Sequence, residues 1–159
     1  MGRSRMVLVV LILAPCSLAG CSKSVSGPAL PNACDGQLVT QADIAPILGE
    51  PITSVKPLEG DAQSCKFTTA SFTSLTVSLR PGLGRTTVAT WASGQMPLGA
   101  TPLAGVGDRA VWQSTLHEVI ADKDNLLCDI GVAGPPSATG GATPANVGAL
   151  CKKIFAARS

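Results

Sequence analysis

The sequence predicts an α+β fold: an antiparallel sheet with short helices packed on one face, stapled by disulfides, its helix-plus-strands order suggesting a degenerate duplication. Three observations predict it. Residues 65–68 and 75–80 alternate apolar and polar side chains with the period of half-buried strands. Two stretches, opening at Thr40 and Thr143, combine a hydroxyl cap with apolar residues at helical spacing. Cys34, Cys65, Cys128 and Cys151 are spread over these elements, an even number that reads as two disulfides.

The chain begins with a segment that does not belong to this fold. Arg3 and Arg5 precede an uninterrupted apolar run over residues 7–14, and small residues follow, which is the layout of a bacterial secretory leader. The run is too short for a permanent membrane-spanning helix, which needs about 20 residues. Two cleavage readings compete. Ser17 and Ala19 suit a general signal peptidase cutting after Ala19, whereas Leu18-Ala19-Gly20-Cys21 resembles a bacterial lipobox, in which a diacylglycerol joins the cysteine thiol and cleavage falls just before it. The lipobox reading accounts for the cysteine as well. Cys16 follows Pro15, which departs from the small residue that pattern requires. Residues 1–20 are therefore expected to be a lipoprotein signal peptide that is removed. Cys21 is expected to carry the lipid. Each buried methylene contributes about 0.8 kcal/mol, and two or more chains anchor a protein stably.

Residues 22–33 are rich in Ser, Gly and Pro with a single Lys23, a composition that cannot bury enough apolar surface to order itself. Residues 21–33 thus read as a lipidated flexible tether, spanning on the order of 20 Å. Residues 34–159 read as a single α+β domain. Ser22 stands where an Asp would retain many Gram-negative lipoproteins at the inner membrane. The expected location is therefore a cell membrane or, where the cell has an outer membrane, that membrane facing the periplasm.

The full chain carries 12 basic and 10 acidic residues, for a formal net charge of +2. Removing the leader removes Arg3 and Arg5, so the mature chain is near neutral. It has no basic footprint for nucleic acid. Aromatic residues make up 3% and Tyr is absent, which also disfavours base stacking and sugar recognition.

Within the domain, Thr40 and Asp43 form a capping pattern, Ile44, Ile47 and Leu48 supply an apolar face, and Gly49 and Pro51 stop the helix. Pro46 requires it to be short or to begin nearer Asp43. Strands are expected over 65–68 and 75–80 with a hairpin link at 69–74, then a helix over 86–93 carrying Val88, Trp91 and Ala92. Three further strands follow at 110–112, 116–121 and 126–132, with residues 122–125 as a polar turn. Residues 134–141 form a Gly/Pro surface loop. The last helix has Thr143 as cap and Pro144 at its first position. Val147, Leu150, Cys151, Ile154 and Phe155 make its apolar stripe, with Lys152, Lys153 and Arg158 toward its negative end. Four cysteines allow three pairings. Cys151 on that stripe and Cys128 on the strand face of Leu126 and Ile130 favour a Cys128–Cys151 bridge, leaving Cys34–Cys65.

The chemical motifs read mostly as structure. Gly105-Val-Gly107-Asp imitates a dinucleotide fingerprint, yet a strand rather than a helix follows it, so it is a turn. Asp122, Asp124, Asn125 and Asp129 invite calcium, but an EF-hand loop from Asp122 would need Gly and Glu where Leu127 and Ala133 stand. His117 is the single histidine, in an expected strand beside Glu118, and there is no zinc set, no Gly-x-Ser-x-Gly elbow and no Cys-x-x-Cys. Phe72 lies in the polar link 69–74 and is expected to fold back onto the core rather than face a partner. No catalytic residue, metal or cofactor is assigned.

At residues 34–49, at Cys65-Lys66-Phe67 and at 103–110 the chain resembles small exported lipoproteins of unknown function carried by actinobacteria. They share a lipobox, a Cys before a short helix ending in Gly, a second Cys in an early strand, and a Gly-x-Gly-Asp turn before a strand. Cys128, Cys151 and the loop at 134–141 depart from that pattern, and the resemblance supplies no activity. The expected function is a non-enzymatic binding or accessory module, anchored through Cys21 and contacting an envelope protein. The alternatives are an envelope hydrolase, using His117 with Glu118 or Asp108 or using an acidic pair, and a lipid or small-molecule carrier.

Overall fold

The computed structural model describes residues 31–84, 88, 90, 99–135 and 141–158. The leader, Cys21 and the tether up to residue 30 lie outside the described residues, as do most of the helix expected over 86–93 and residues 136–140 of the Gly/Pro loop.

A short 3-10 turn, Ala33–Asp35, precedes helix α1, Gln41–Leu48. The Thr40 hydroxyl accepts from the Asp43 N–H at 3.3 Å and the Asp43 carboxylate accepts from the Thr40 N–H at 2.7 Å, closing the predicted capping box. Gly49, with φ 71°, ends the helix and donates to the Ala45 carbonyl. Eight residues is short enough to carry Pro46, whose missing N–H removes only the bond to Ala42.

Seven strands follow: β1 Ile52–Leu58, β2 Asp61–Thr69, β3 Ser74–Pro81, β4 Ala100–Pro102, β5 Arg109–Gln113, β6 Glu118–Lys123 and β7 Leu126–Ala133. Helix α2, Pro144–Ala156, closes the chain, capped by the Thr143 hydroxyl, which accepts from the Asn146 N–H at 3.2 Å. The strands form one antiparallel sheet in the order β1-β2-β3-β7-β6-β5-β4. Two meanders, β1 to β3 and β4 to β7, meet through their last strands in a ladder from Ser74↔Ala133 to Pro81↔Leu126.

Both described helices lie on one face of the sheet. There Phe67, Leu75, Val77, Leu79, Trp112, Val119 and Ile130 pack beneath Ile44, Leu48, Val147, Leu150 and Ile154. Both expected disulfides form on this face, Cys34–Cys65 with Cα atoms 5.2 Å apart and Cys128–Cys151 with 5.9 Å. Each half of the sheet has its own staple. The other face holds a smaller apolar cluster of Val88, Val111, Ile120 and Leu127.

Two strands and several boundaries differ from expectation, among them the start of β2 at Asp61 rather than at residue 65. The edge strands β1 and β4 were not anticipated. In β1 exposed and half-buried residues do not alternate, and Lys56 and Pro57 sit in it, which is how edge strands resist pairing with other chains. Strand β6 begins at Glu118 rather than at residue 116, and runs to Lys123 because the turn is only Asp124-Asn125. Those two residues have φ of 50° and 63°, the left-handed pair of a type I′ hairpin. His117 is thereby moved out of the strand into the β5–β6 turn, with φ 47°.

Candidate functional site

The β2–β3 turn holds the least expected side chain in the molecule. The ladder ends at Thr68↔Ser74, and beyond it Thr69 donates its N–H to the Thr73 carbonyl at 2.9 Å. Phe72 donates its N–H to the Thr69 carbonyl at 3.2 Å, which makes residues 70–72 a three-residue hairpin loop. The third residue of such a loop takes the left-handed conformation and is ordinarily Gly. Here it is Phe72, with φ 64°. The turn is braced: the Ser71 hydroxyl lies 3.1 Å from both the Thr69 and the Thr73 hydroxyls, and Thr69 and Thr73 are buried. A Cβ on Gly134, where β7 exits, would stand 2.9 Å from the Thr73 side chain, so only glycine lets the two segments touch.

The expectation that Phe72 folds onto the core is corrected. It is 85% exposed. Its left-handed backbone at the loop tip turns the ring outward, and the core beneath is already filled by Leu75 and Phe67. Leu116, in the β5–β6 turn, is 55% exposed. Both turns lie at the same end of the sheet, because Ser74 is paired with Ala133 and the Val132 N–H donates to the His117 carbonyl at 3.2 Å. Three strand spacings separate the tips, about 14 Å. Residues 69–73, 114–116 and 133–135, at the tips of this end, contain no Asp, Glu, Lys or Arg. The nearest ionisable residues in register are Glu50, His117 and Glu118.

The opposite end is its inverse. Asp108, Lys123 and Asp124 gather there with Lys152 and Arg158 of the α2 terminus, around two adjoining pockets that share Lys123 and Phe155. The Gly105-to-Asp108 segment is the turn before β5 that the sequence predicts. A Cβ on Gly107 would lie 2.3 Å from the Asp122 carbonyl, so its glycine serves close packing rather than a phosphate.

The residues considered for catalysis are not brought together. His117 rests its ring against Trp112, centroids 6.2 Å apart, on the helix-covered face. Glu118 lies on the other face beside Gly131. Asp108 is at the far end of β6, where the Asp124 N–H donates to its carboxylate at 3.3 Å. Among the described residues, no three His, Cys, Asp or Glu side chains converge as a metal set. Of the calcium candidates, Asp122 is buried against Arg109 with Nε–Oδ1 3.5 Å, and Asp129 sits mid-strand in β7.

One carboxyl pair was not anticipated. The two-residue turn sets Glu118 opposite Gly131 and Ile120 opposite Asp129, making Glu118 and Asp129 diagonal neighbours on one face. Burial, then the Glu118 charge and a hydrogen bond to it, push the Asp129 carboxyl up to about 7, with Arg80 opposing. The pair can hold one shared proton near neutrality. Reading residues 122–125 as a four-residue turn hid this register. In contrast, Asp43 on α1 is held down at about 2, chiefly by its bond to Lys153 on α2.

A pocket of about 340 Å³ opens beside the β4–β5 edge, lined mainly by Val88, Pro102, Leu103, Ala110 and Val111. No family model matches the chain, nor does any curated protein or any solved structure.

Proposed function

We propose that this chain is a lipid-anchored envelope module that acts by contact rather than by catalysis, and that its contact surface is the uncharged end of the sheet. The observation that carries the contact reading is Phe72. It is 85% exposed on a left-handed backbone, so it loses hydrophobic burial and incurs backbone strain together. Neither loss benefits the fold, and a contact made outside the domain accounts for both. The anchor is supported by Arg3, Arg5, the apolar run over 7–14 and Leu18-Ala19-Gly20-Cys21, and the two disulfides suit an oxidising, exported location. The resemblance to small actinobacterial lipoproteins points the same way.

Two measurements test it. Growth with a palmitate analogue labels the chain at Cys21, and Cys21→Ala abolishes the label; an unlabelled product removes the anchor. A photo-crosslinking amino acid placed at position 72 in intact cells yields adducts that the same group at Lys152, at the charged end, does not. Equal yields at both positions would remove the contact surface.

A further inference from the structure

Ten residue steps separate Cys21 from Pro31, where the described chain begins. That length reaches about 35 Å when extended and about 17 Å on average as a flexible coil. A domain of this size has a radius of gyration of about 14 Å. A tether of that length would hold the domain about one radius from the bilayer at its average span and never beyond about 35 Å, close enough for any part of its surface to touch lipid.

We infer that Phe72 and Leu116 insert into the bilayer that holds the anchor, docking the domain with its uncharged end against the lipid; this rests on the reading of Cys21 as lipidated. The form of the surface fits a lipid occupant. Phe72 and Leu116 are separate projecting tips about 14 Å apart, each on a turn collared by Ser and Thr, so apolar groups lead and hydroxyls follow at headgroup depth. No Asp, Glu, Lys or Arg among residues 69–73, 114–116 and 133–135 would have to be dehydrated. Asp108, Lys123, Asp124 and Arg158, at the other end, are left in water.

The tether also resolves a question of strength. Two side chains are too few to recruit a protein from solution. Once the domain is held beside the bilayer, however, they need only select an orientation. Burying one such side chain favours the inserted orientation roughly ten- to a hundredfold. Because the tip carries no cation, docking requires neither anionic lipid nor low salt.

The test uses the lipidated full chain with Phe72→Trp in phosphatidylcholine vesicles, read as the difference from wild type, with Trp91 and Trp112 common to both. The expected result is a blue-shifted difference spectrum, quenched at least twofold by acyl-chain-brominated lipid and unchanged between low and high salt. Leu116→Trp should give the same response at the second tip. Unquenched emission typical of an exposed indole in both variants overturns the proposal. So does quenching that appears only with anionic lipid, or a discrete protein adduct as the sole product of crosslinking from position 72 in cells.

A parallel arm separates this failure from failure of the anchor. The exported Cys21→Ser chain, with a hexahistidine run inserted after Ser22, is held on nickel-chelating phosphatidylcholine vesicles. Quenching there supports the tip contact even if native Cys21 proves unmodified, and its absence there overturns the tip contact whatever Cys21 carries.

Discussion

Among the described residues, three hairpin turns place non-glycine residues in the left-handed region, at Phe72, at His117 and at Asp124-Asn125, and the β6–β7 and β2–β3 turns do so with opposite chemistry. The β6–β7 turn uses Asp124 and Asn125, at φ 50° and 63°, residues whose short polar side chains tolerate that backbone. The β2–β3 turn uses Phe72 at φ 64°, a bulky side chain that gains nothing from the local backbone and is 85% exposed. The first turn is composed for folding. The second bends to the same geometry while presenting a side chain that folding does not need, and that difference is what the proposed contact surface rests on.

The largest effect concerns the staples that hold each hairpin's half of the sheet. The Cys34–Cys65 and Cys128–Cys151 loops span 31 and 23 residues, so removing either bridge as a paired Cys→Ala change should cost about 3–4 kcal/mol in urea unfolding. Near-equal losses would show the halves to be equally dependent on their bridges. A loss confined to one bridge would show unequal halves.

Next is the turn composed for folding. Replacing Asp124 and Asn125 together by Val should lower stability by about 2–3 kcal/mol, because β-branched residues resist the left-handed region. If the double variant unfolds at the wild-type urea concentration, the turn chemistry does not matter and the contrast with Phe72 loses its basis.

The same hairpin should also respond to pH. Asp129 is raised from 3.8 to about 7, so the folded state holds its proton while the unfolded state has released it. That contribution is fully present below about pH 4 and is lost as pH rises through 7. Stability should therefore fall by on the order of 2 kcal/mol between pH 5 and 8, and Asp129→Asn should flatten the fall. A wild-type profile with no decline over that range would mean Glu118 and Asp129 do not share a proton.

The smallest effect is the most diagnostic. Phe72→Gly relieves the left-handed backbone and sacrifices almost no buried area, so it should raise stability by about 1 kcal/mol, less the added entropy of the unfolded chain. Destabilisation would place Phe72 among the folding residues and end the comparison.

Much of the framework was legible beforehand because its signals are local. Thr40 with Asp43, Thr143 with Pro144, the stripe from Val147 to Phe155 and the alternation over residues 75–80 each declare their element within a few positions. The Cys128–Cys151 bridge followed from the faces its two cysteines share, and Cys34–Cys65 was the pair left over. What escaped depends on partners distant in sequence. Strand β1 is defined by its pairing with β2 and lacks an alternating pattern of its own. The orientation of Phe72 depends on a core already occupied by others. The Glu118–Asp129 pair depends on a register set by whether the turn takes two residues or four. The proposed anchor, by contrast, rests on sequence alone, in residues 18–21.

The central β3–β7 ladder has a consequence for the order in which this protein can be assembled. A chain emerging N-terminus first presents β1, β2 and β3 long before residues 126–133 arrive to cover the open side of β3. Until then the first meander exposes Leu75, Val77 and Leu79 beside an unpaired backbone edge, the state most prone to stray association. Cys34 and Cys65 both lie in that early half and can be oxidised while the wait lasts. Cys151 follows β7 in the chain, so the second bridge cannot close until residues 126–133 have already emerged.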